Sequence, residues 1–220
     1  MTNIILAENI SFNETAEATS FRMQLGGVYI LLTSKDEEVA ALTRILIGMD
    51  MPPSGKIVLF GSDTATISAR ELQNTRRRIG VAFKSGGLVS NLKAWENLTL
   101  PLHYHQRMSN NEIEKEGIAM LGRLGYTGGY MDLPGLLTIS QKKIIGIARA
   151  MLIAPQVIIY ESPEYGFDQE EKIHFFKNAA EFHREKTDRV SIFLSASAEV
   201  MRFIPEAAVV NLTKGPTHDN

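Results

Sequence analysis

The residues that could do chemistry are concentrated in a short turn between a strand and a helix. An apolar strand ends at Leu32, and a turn and an amphipathic helix follow it. This arrangement is the frame of a phosphate-binding loop, in which glycines let backbone N–H groups wrap the phosphates, a lysine balances charge and a Ser or Thr binds magnesium. The residues found there are Thr33, Ser34, Lys35, Asp36, Glu37, Glu38, Val39, Ala40 and Ala41. The frame predicts a phosphate site, whereas its residues lack the chemistry of one.

The same acidic residues also have a local structural interpretation. Ser34 followed three positions later by Glu37 is a capping-box pattern. Carboxylates in the first helical turn are favoured by the helix dipole. Two hypotheses carry equal weight: the acidic cap stands in for a nucleotide and fixes an empty conformation, or it is an ordinary helix start.

Composition excludes several classes of protein. The 220 residues carry a net charge of −2 with no basic block, which argues against a nucleic-acid partner. There are no cysteines, so disulfides, thiolate metal sites and cysteine catalysis are excluded. No apolar run reaches the roughly 20 residues that span a bilayer, and the first residues do not form a signal peptide. We expect a cytosolic protein, and no metal site is predicted.

Short apolar strands alternate with helices along most of the chain, which predicts parallel β-α units in an α/β fold. Two earlier strands, with residues 3–12 as an edge strand, indicate an antiparallel lobe. A block of helices is expected over residues 94–154, interrupted at Pro101. A charged helix over residues 169–186 is expected to bury Ile173, Phe176, Ala180 and His183.

Four separated stretches resemble the ATP-binding subunit of ABC transporters, in order and at family-like spacing. Residues 78–88 resemble the strand and Q-loop, and residues 95–102 resemble the segment after it. Residues 137–150 resemble the signature motif and its helix, and residues 157–168 resemble the Walker B strand and D-loop. The resemblance covers residues 3–215.

This resemblance implies a P-loop NTPase-like ABC ATPase fold: a mixed parallel sheet with an antiparallel β lobe and a helical subdomain. It implies a single domain over residues 1–220. Residues 1–92 and 155–213 would form a RecA-like core with the antiparallel lobe, and residues 93–154 would form the helical subdomain.

The chain departs from the family pattern at the positions that bind phosphate. By resemblance, the three P-loop glycines fall on Thr33, Asp36 and Glu38. The P-loop lysine falls on Val39, and the magnesium-binding Ser or Thr falls on Ala40. No lysine or flexible glycine is left where the family places the phosphates.

Further departures fall on the other motifs. The Q-loop glutamine falls on Lys84, the Walker B aspartate on Glu161, the catalytic glutamate on Ser162 and the switch histidine on Ala196. The D-loop aspartate is retained as Asp168. The signature segment is Leu137, Thr138, Ile139, Ser140 and Gln141, which has Thr for the serine and Ile-Ser for the two glycines.

These departures predict a degenerate nucleotide-binding domain, a pseudo-ATPase subunit with weak or absent hydrolysis and a structural or regulatory role. ATP and magnesium are implied by the family, but no cofactor is predicted. The sequences of residues Lys84–Leu88 and Trp95–Leu98 most resemble the corresponding segments of the ATPases of MCE-type phospholipid-trafficking transporters. This resemblance suggests lipid transport.

The implied partners are a membrane permease, docked near residues 84–104, and a head-to-tail dimer partner. That partner would be a second copy or a competent ABC ATPase, at the inner face of the membrane. One alternative is a functional ATPase with an unorthodox site that uses Lys35, Lys84 and Glu161. Another is a soluble interaction protein that kept the fold.

Several charged and aromatic residues outside the motif positions have simpler interpretations. Lys142 and Lys143 are expected on a solvated helix face, and residues 76–78 at a solvated helix end. Arg149 is expected to brace the signature helix. Tyr165 and Phe167 could face a dimer partner or the local core, with the interface slightly favoured.

Overall fold

A computed structural model describes residues 3–12, 17–105 and 108–213 of the chain. The strands in chain order are β1 (Asn3–Ser11), β2 (Thr19–Gln24), β3 (Val28–Leu32), β4 (Ser54–Leu59), β5 (Ser62–Asp63), β6 (Ile79–Ala82), β7 (Val157–Glu161), β8 (Val190–Ser195) and β9 (Ala208–Asn211). The helices are α1 (Asp36–Leu46), α2 (Ala69–Arg76), α3 (Ala94–His105), α4 (Asn110–Arg123), α5 (Ile139–Leu152) and α6 (Gln169–Arg184), with short 3₁₀ helices at Pro134–Leu136 and Ala198–Arg202.

The central sheet is parallel, as the alternation of apolar strands and helices predicts. Its strand order is β6-β7-β8-β3-β9, and every pairing in it is parallel. Successive side chains of a strand point to opposite faces, so each strand contributes to two cores. Tyr160 and Phe193 pack with α5 and α6 on one face, while Ile159 and Leu194 pack with α1 and the second sheet on the other.

The second sheet is antiparallel with the order β2-β1-β4-β5. The prediction that residues 3–12 form an edge strand is wrong, because β4 pairs with the side of β1 that β2 leaves open. Ile5 and Ala7 are fully buried as a result.

Pro101 lies inside α3 and does not separate two helices, contrary to the sequence-based expectation. A proline removes its own N–H bond. The buried face formed by Leu98 and Leu102 runs past it, and this packing holds the helix together across Pro101.

The buried face of α6 differs from the predicted one. Phe175, Phe176, Ala179 and Phe182 are buried, whereas Ile173 is 56% exposed. The Phe175 ring meets Tyr160 of β7 edge to face and the Phe176 ring is tilted against Phe193 of β8, and these contacts fix the rotation of the helix about its axis.

Candidate functional site

Most of the positions singled out in the sequence lie at one edge of the parallel sheet. Because parallel strands end at the same edge, the turn after β3, the loop after β6, the loop after β7 and the residues after β8 converge there. This edge carries residues 33–41, Lys84, Glu161, Ser162 and Ala196.

A carboxylate of the chain itself binds backbone N–H groups just before α1. Lys35 has the extended backbone of an N-cap, and the helix begins at Asp36. Glu38 Oε2 accepts hydrogen bonds from the backbone N–H groups of Ser34 at 2.8 Å and Lys35 at 3.2 Å. The predicted capping box of Ser34 and Glu37 is wrong by one residue, because the residue three positions after the Lys35 cap is Glu38.

The Asp36 side chain contacts two other predicted positions, Lys84 and Ser162. Its Oδ2 is 2.8 Å from Lys84 Nζ, and its Oδ1 accepts a hydrogen bond from Ser162 Oγ at 3.3 Å. The bond from Lys84 lowers the pKa of the Asp36 carboxyl, and the same bond raises the pKa of Lys84. Lys84 Nζ also lies 4.3 Å from the centre of the Tyr165 ring. The Lys84 ammonium is thus paired with a carboxylate of the chain.

The first turn of α1 presents an apolar side chain at Val39, the position on which the family's lysine falls by resemblance. Val39 is 1% exposed and packs in the core beside Leu42. Ala40 and Ala41 follow it, partly buried and without a polar side-chain atom. Thr33, before the turn, is buried, and its Oγ1 donates to the Lys35 carbonyl at 3.1 Å.

Glu161 and Ser162 end β7 beside this turn. Burial raises the pKa of the Glu161 carboxyl, while hydrogen bonds from the Lys84 backbone and the Thr43 side chain oppose that rise. Ser162 is buried at φ +42°, in the left-handed region that non-glycine residues rarely adopt. At the end of β8, Ala196 is exposed and has no polar side-chain atom.

Lys143 is the residue that sequence reasoning missed. It is 1% exposed, not solvated, and its Nζ donates to the carbonyls of Ser162 at 2.6 Å, Pro163 at 2.9 Å and Tyr165 at 2.6 Å. Burial lowers the pKa of Lys143 to about 7, and the three carbonyls use all the donors of the ammonium group. Helical spacing could have found it, because Lys143 shares the face of the buried Ile147 and Ala150.

The signature segment caps one helix and contacts the start of another. Thr138 is the N-cap of α5 and bonds with Gln141, while Leu137 is buried and Ile139 is 49% exposed. Ser140 Oγ donates to Glu171 Oε1 at 2.8 Å.

Asp168, at the end of the loop after β7, caps α6 in a box with Glu171. Ile139 reaches this loop too, since a Cβ on Gly166 would lie 2.5 Å from its Cγ2. The two aromatic residues of the loop differ in burial: Phe167 is buried in the core, whereas Tyr165 is 41% exposed.

The loop after β6 is packed onto α5. Gly86 has φ +81°, and a Cβ there would lie 2.2 Å from the Lys142 carbonyl oxygen. Arg149 braces this loop, donating to the Gly86 carbonyl at 2.8 Å and the Gly87 carbonyl at 2.9 Å. A mainly apolar cleft of about 680 Å³ lies beside it, lined by residues that include Val81, Phe83, Leu100 and Pro101.

The basic run at the end of α2 contacts neighbouring segments and is not merely solvated. Arg76 donates to the backbone carbonyls of Ile47 and Gly48. The Arg78 guanidinium lies 3.6 Å from the centre of the Phe60 ring. Both arginines therefore tie the end of α2 to the rest of the fold.

Neither a metal-binding cluster nor a membrane-spanning helix is present in the described part of the chain. No three His, Asp or Glu side chains within residues 3–12, 17–105 and 108–213 come together as a metal site would require. Over the same residues, no helix has the length and apolar character to cross a bilayer.

Comparison with known proteins gives a consistent result. A family model described as ABC transporter matches residues 40–164, more than half of the chain. The probable ribonucleotide transport ATP-binding protein mkl of Mycobacterium tuberculosis is 24% identical over 201 residues, covering 91% of this chain and 56% of the relative. The methionine import ATP-binding protein MetN 2 of Pseudomonas entomophila is 24% identical over 196 residues, covering 89% and 58%. The chain thus spans little more than half the length of these relatives.

Solved structures share the fold. The ATP-binding cassette MJ0796, solved as a dimer in a post-hydrolysis state with ADP and Pi, has a TM-score of 0.81 at 22% identity, with 95% of this chain and 94% of that chain covered. The protein cbiO1 of Clostridium perfringens, part of the cbiONQ transporter complex, has a TM-score of 0.75 at 19% identity, with 97% and 86% covered. At these identities the likeness establishes the fold alone.

Proposed function

This chain belongs to the ABC transporter family and has its ATPase fold, and we propose that it is a degenerate nucleotide-binding subunit with weak or absent ATP hydrolysis. In this proposal the subunit acts structurally or regulatorily within a transport system. The observation that carries it is the start of α1, where the Glu38 carboxylate accepts hydrogen bonds from the backbone N–H groups of Ser34 and Lys35, and the Asp36 carboxylate is paired with the Lys84 ammonium.

Electrostatics argue against a nucleotide at this turn. A helix N-terminus favours an anion, whether it is a phosphate or a carboxylate. A phosphate beside Asp36 or Glu38 would meet like charge, at a cost of about 4 kcal/mol for each pair 4 Å apart at an effective dielectric of 20. With Val39 in the place of a lysine, no charge-assisted hydrogen bond of roughly 1.5–3 kcal/mol offsets that cost. The residues present do not fit a magnesium nucleotide.

The chain also lacks a group to activate water. Ser162 stands where the family has its catalytic glutamate, and its hydroxyl is bonded to Asp36. Ala196 stands where the family has a histidine. Without a positioned base, hydrolysis would be slow even if a nucleotide entered, since such a base contributes about 10²–10⁴-fold.

The proposed partners are a membrane permease and a second nucleotide-binding subunit. MJ0796 was solved as a dimer, and cbiO1 is part of a transporter complex. The apolar cleft beside Gly87 and Leu100 is the surface we propose for the permease, because Gly87, Val89, Leu100 and Pro101 of its lining belong to the predicted docking region of residues 84–104. Attachment through such a permease would place the chain at the cytoplasmic face of the membrane.

The proposed cargo class is lipid, and this assignment is based on the sequences of two segments. Residues 84–88 and 95–98 resemble those of MCE-type ATPases, whereas mkl and MetN 2 are named for ribonucleotide and methionine transport.

The second candidate function is an ATPase with an unorthodox site. It is favoured by the approach of Lys84 and Lys143 to Glu161, since both amines influence the pKa of that carboxyl. If this candidate holds, Lys84→Met should abolish hydrolysis by the purified chain. In the proposed function the purified chain has no hydrolysis to lose.

The test is capture of partners from native membranes with the tagged chain, followed by an ATPase assay on the assembly. We expect a permease to co-purify, Leu100→Glu in the cleft to release it, and Ile118→Glu on exposed α4 to retain it. Any hydrolysis should then come from a second subunit with an intact phosphate loop. Family-like hydrolysis by an assembly whose only nucleotide-binding subunit is this chain would contradict the proposal, and absence of a permease would favour a soluble interaction protein.

A further inference from the structure

A second cavity lies at the opposite edge of the parallel sheet, where β3 and β8 begin. Its volume is about 250 Å³, just below the roughly 300–1,000 Å³ typical of sites for drug-sized ligands. Its apolar lining residues are Val28, Ala179, Ala180, Phe193 and Ile204. The size and lining suit a small molecule with a short apolar body.

Polar groups of this cavity are held in fixed positions. His183, in the last turn of α6, is half-buried, and its Nδ1 lies 3.0 Å from Ser191 Oγ. A hydrogen bond with the Gly26 backbone also holds the imidazole ring. Burial lowers the pKa of His183 below its ordinary value of 6.5, so the ring is neutral at pH 7. His183 and Ser191 thus contribute dipoles and no charge.

One positive and one negative side chain line the cavity. Arg184 and Glu206 both line it, and both act on the pKa of His183, in opposite directions. Neither side chain has a hydrogen bond or an ion pair within residues 3–12, 17–105 and 108–213. Arg184 and Glu206 are both exposed at the rim of a mainly apolar cavity, and one charge of each sign matches a ligand that carries both.

We propose that this cavity is a binding site for a small zwitterion with an apolar side chain, the chemistry of a neutral α-amino acid. Arg184 binds the ligand carboxylate, Glu206 binds its ammonium group, and the side chain packs against Ala180 and Ile204. The site is independent of the proposed function, because it lies at the other end of the strands and uses none of the residues around α1.

Calorimetry with L-leucine and two analogues tests the charge requirement. L-Leucinamide lacks the carboxylate and 4-methylpentanoate lacks the ammonium group, while both keep the apolar body. We expect L-leucine to bind at micromolar to millimolar concentration and each analogue to bind at least about tenfold more weakly, as loss of a charge-assisted hydrogen bond predicts. Equal binding of all three, or no binding of L-leucine at millimolar concentration, would overturn the proposal.

Variants then assign the charges to residues. Arg184→Gln and Glu206→Gln should each weaken L-leucine binding at least about tenfold. Lys177→Gln, an exposed lysine on the same helix, should leave binding unchanged. Arg184→Gln should also erase the preference for L-leucine over leucinamide, and Glu206→Gln the preference over 4-methylpentanoate. Variants that fold, by circular dichroism, yet bind L-leucine like the wild type would place the ligand elsewhere and overturn the site.

Discussion

The turn after β3 and the loop after β7 lie side by side at one sheet edge, but they differ in charge and in burial. Exposed carboxylates form the contacts of the turn, whereas a buried ammonium group forms those of the loop. In the turn, Asp36 is half-exposed and Glu38 caps backbone N–H groups near solvent. In the loop, the Lys143 ammonium is buried and bonded to three carbonyls. Carboxylates hold donors in the first region, and a cation holds acceptors in the second.

The difference in burial decides how much each region contributes to stability. Exposed ion pairs contribute about 0.2–1 kcal/mol because water and salt screen them. Leaving a buried hydrogen-bonding group without its partner costs about 1–3 kcal/mol for each group. The loop after β7 should therefore depend on one side chain, and the turn after β3 should tolerate substitutions one at a time.

The largest expected effect is that of Lys143→Met, which leaves three buried carbonyls without their donor. We expect it to lower the free energy of unfolding by about 3–5 kcal/mol in urea denaturation. Lys142→Met, the adjacent and partly exposed lysine, is the matched control and should change stability by less than about 0.5 kcal/mol. Similar losses in the two variants would show that the loop does not depend on the buried ammonium.

The pH dependence of stability sharpens the same contrast. The pKa of Lys143 falls from 10.5 to about 7 on folding, so between these values the unfolded chain binds more protons than the folded one. Wild-type stability should consequently rise with pH over this interval relative to Lys143→Met, by up to about 1.4 kcal/mol per pH unit. A difference that stays flat or shrinks from pH 7 to 10 would contradict the assignment.

In the turn, Glu38→Gln should have a smaller effect. The substitution weakens the acceptor of the Ser34 and Lys35 N–H groups, and we expect a loss of about 1 kcal/mol, as for other helix caps. Ser34→Ala should cost less, since Glu38 bonds to the backbone of Ser34. Thermal unfolding of both variants distinguishes this cap from the one predicted by sequence, in which Ser34→Ala would be the more damaging change.

The smallest expected effect is that of Asp36→Asn, below about 1 kcal/mol, because its pair with Lys84 is exposed. The bond from Lys84 lowers the Asp36 pKa from its ordinary 3.8. The contribution is therefore present above that value and is lost as pH falls through the lowered pKa. Wild type and variant should differ at pH 7 and converge in acid; a difference that persists in acid would have another cause.

Sequence alone could predict the fold and the convergence of the site. Fully apolar strands such as β7 and β8 are typical of a parallel sheet. Parallel strands end at the same edge, so the loops that follow them meet there. The resemblance to ABC ATPases gave the fold that the solved structures confirm. Predictions made one segment at a time failed where partners come from elsewhere, as for β1, whose second neighbour β4 lies some 45 residues later in the chain.

The chemistry of the loop after β7 was harder to predict for the same reason. A lysine next to another lysine at a helix start is typical of a solvated face. The burial of Lys143 depends on carbonyls 19–22 residues later, in the loop that begins with the left-handed Ser162. The signal in the sequence is the four-residue spacing between Lys143 and the apolar Ile147, which places both on one face of the helix.

Calorimetric titration of the purified chain with ATP and magnesium tests the central claim most directly. We predict no magnesium-dependent binding at micromolar concentration, because carboxylates and Val39 occupy the turn after β3. As a check on the assay, an ABC ATPase with an intact phosphate loop should bind under the same conditions. Micromolar, magnesium-dependent binding that Lys84→Met abolishes would contradict the claim and establish an unorthodox nucleotide site.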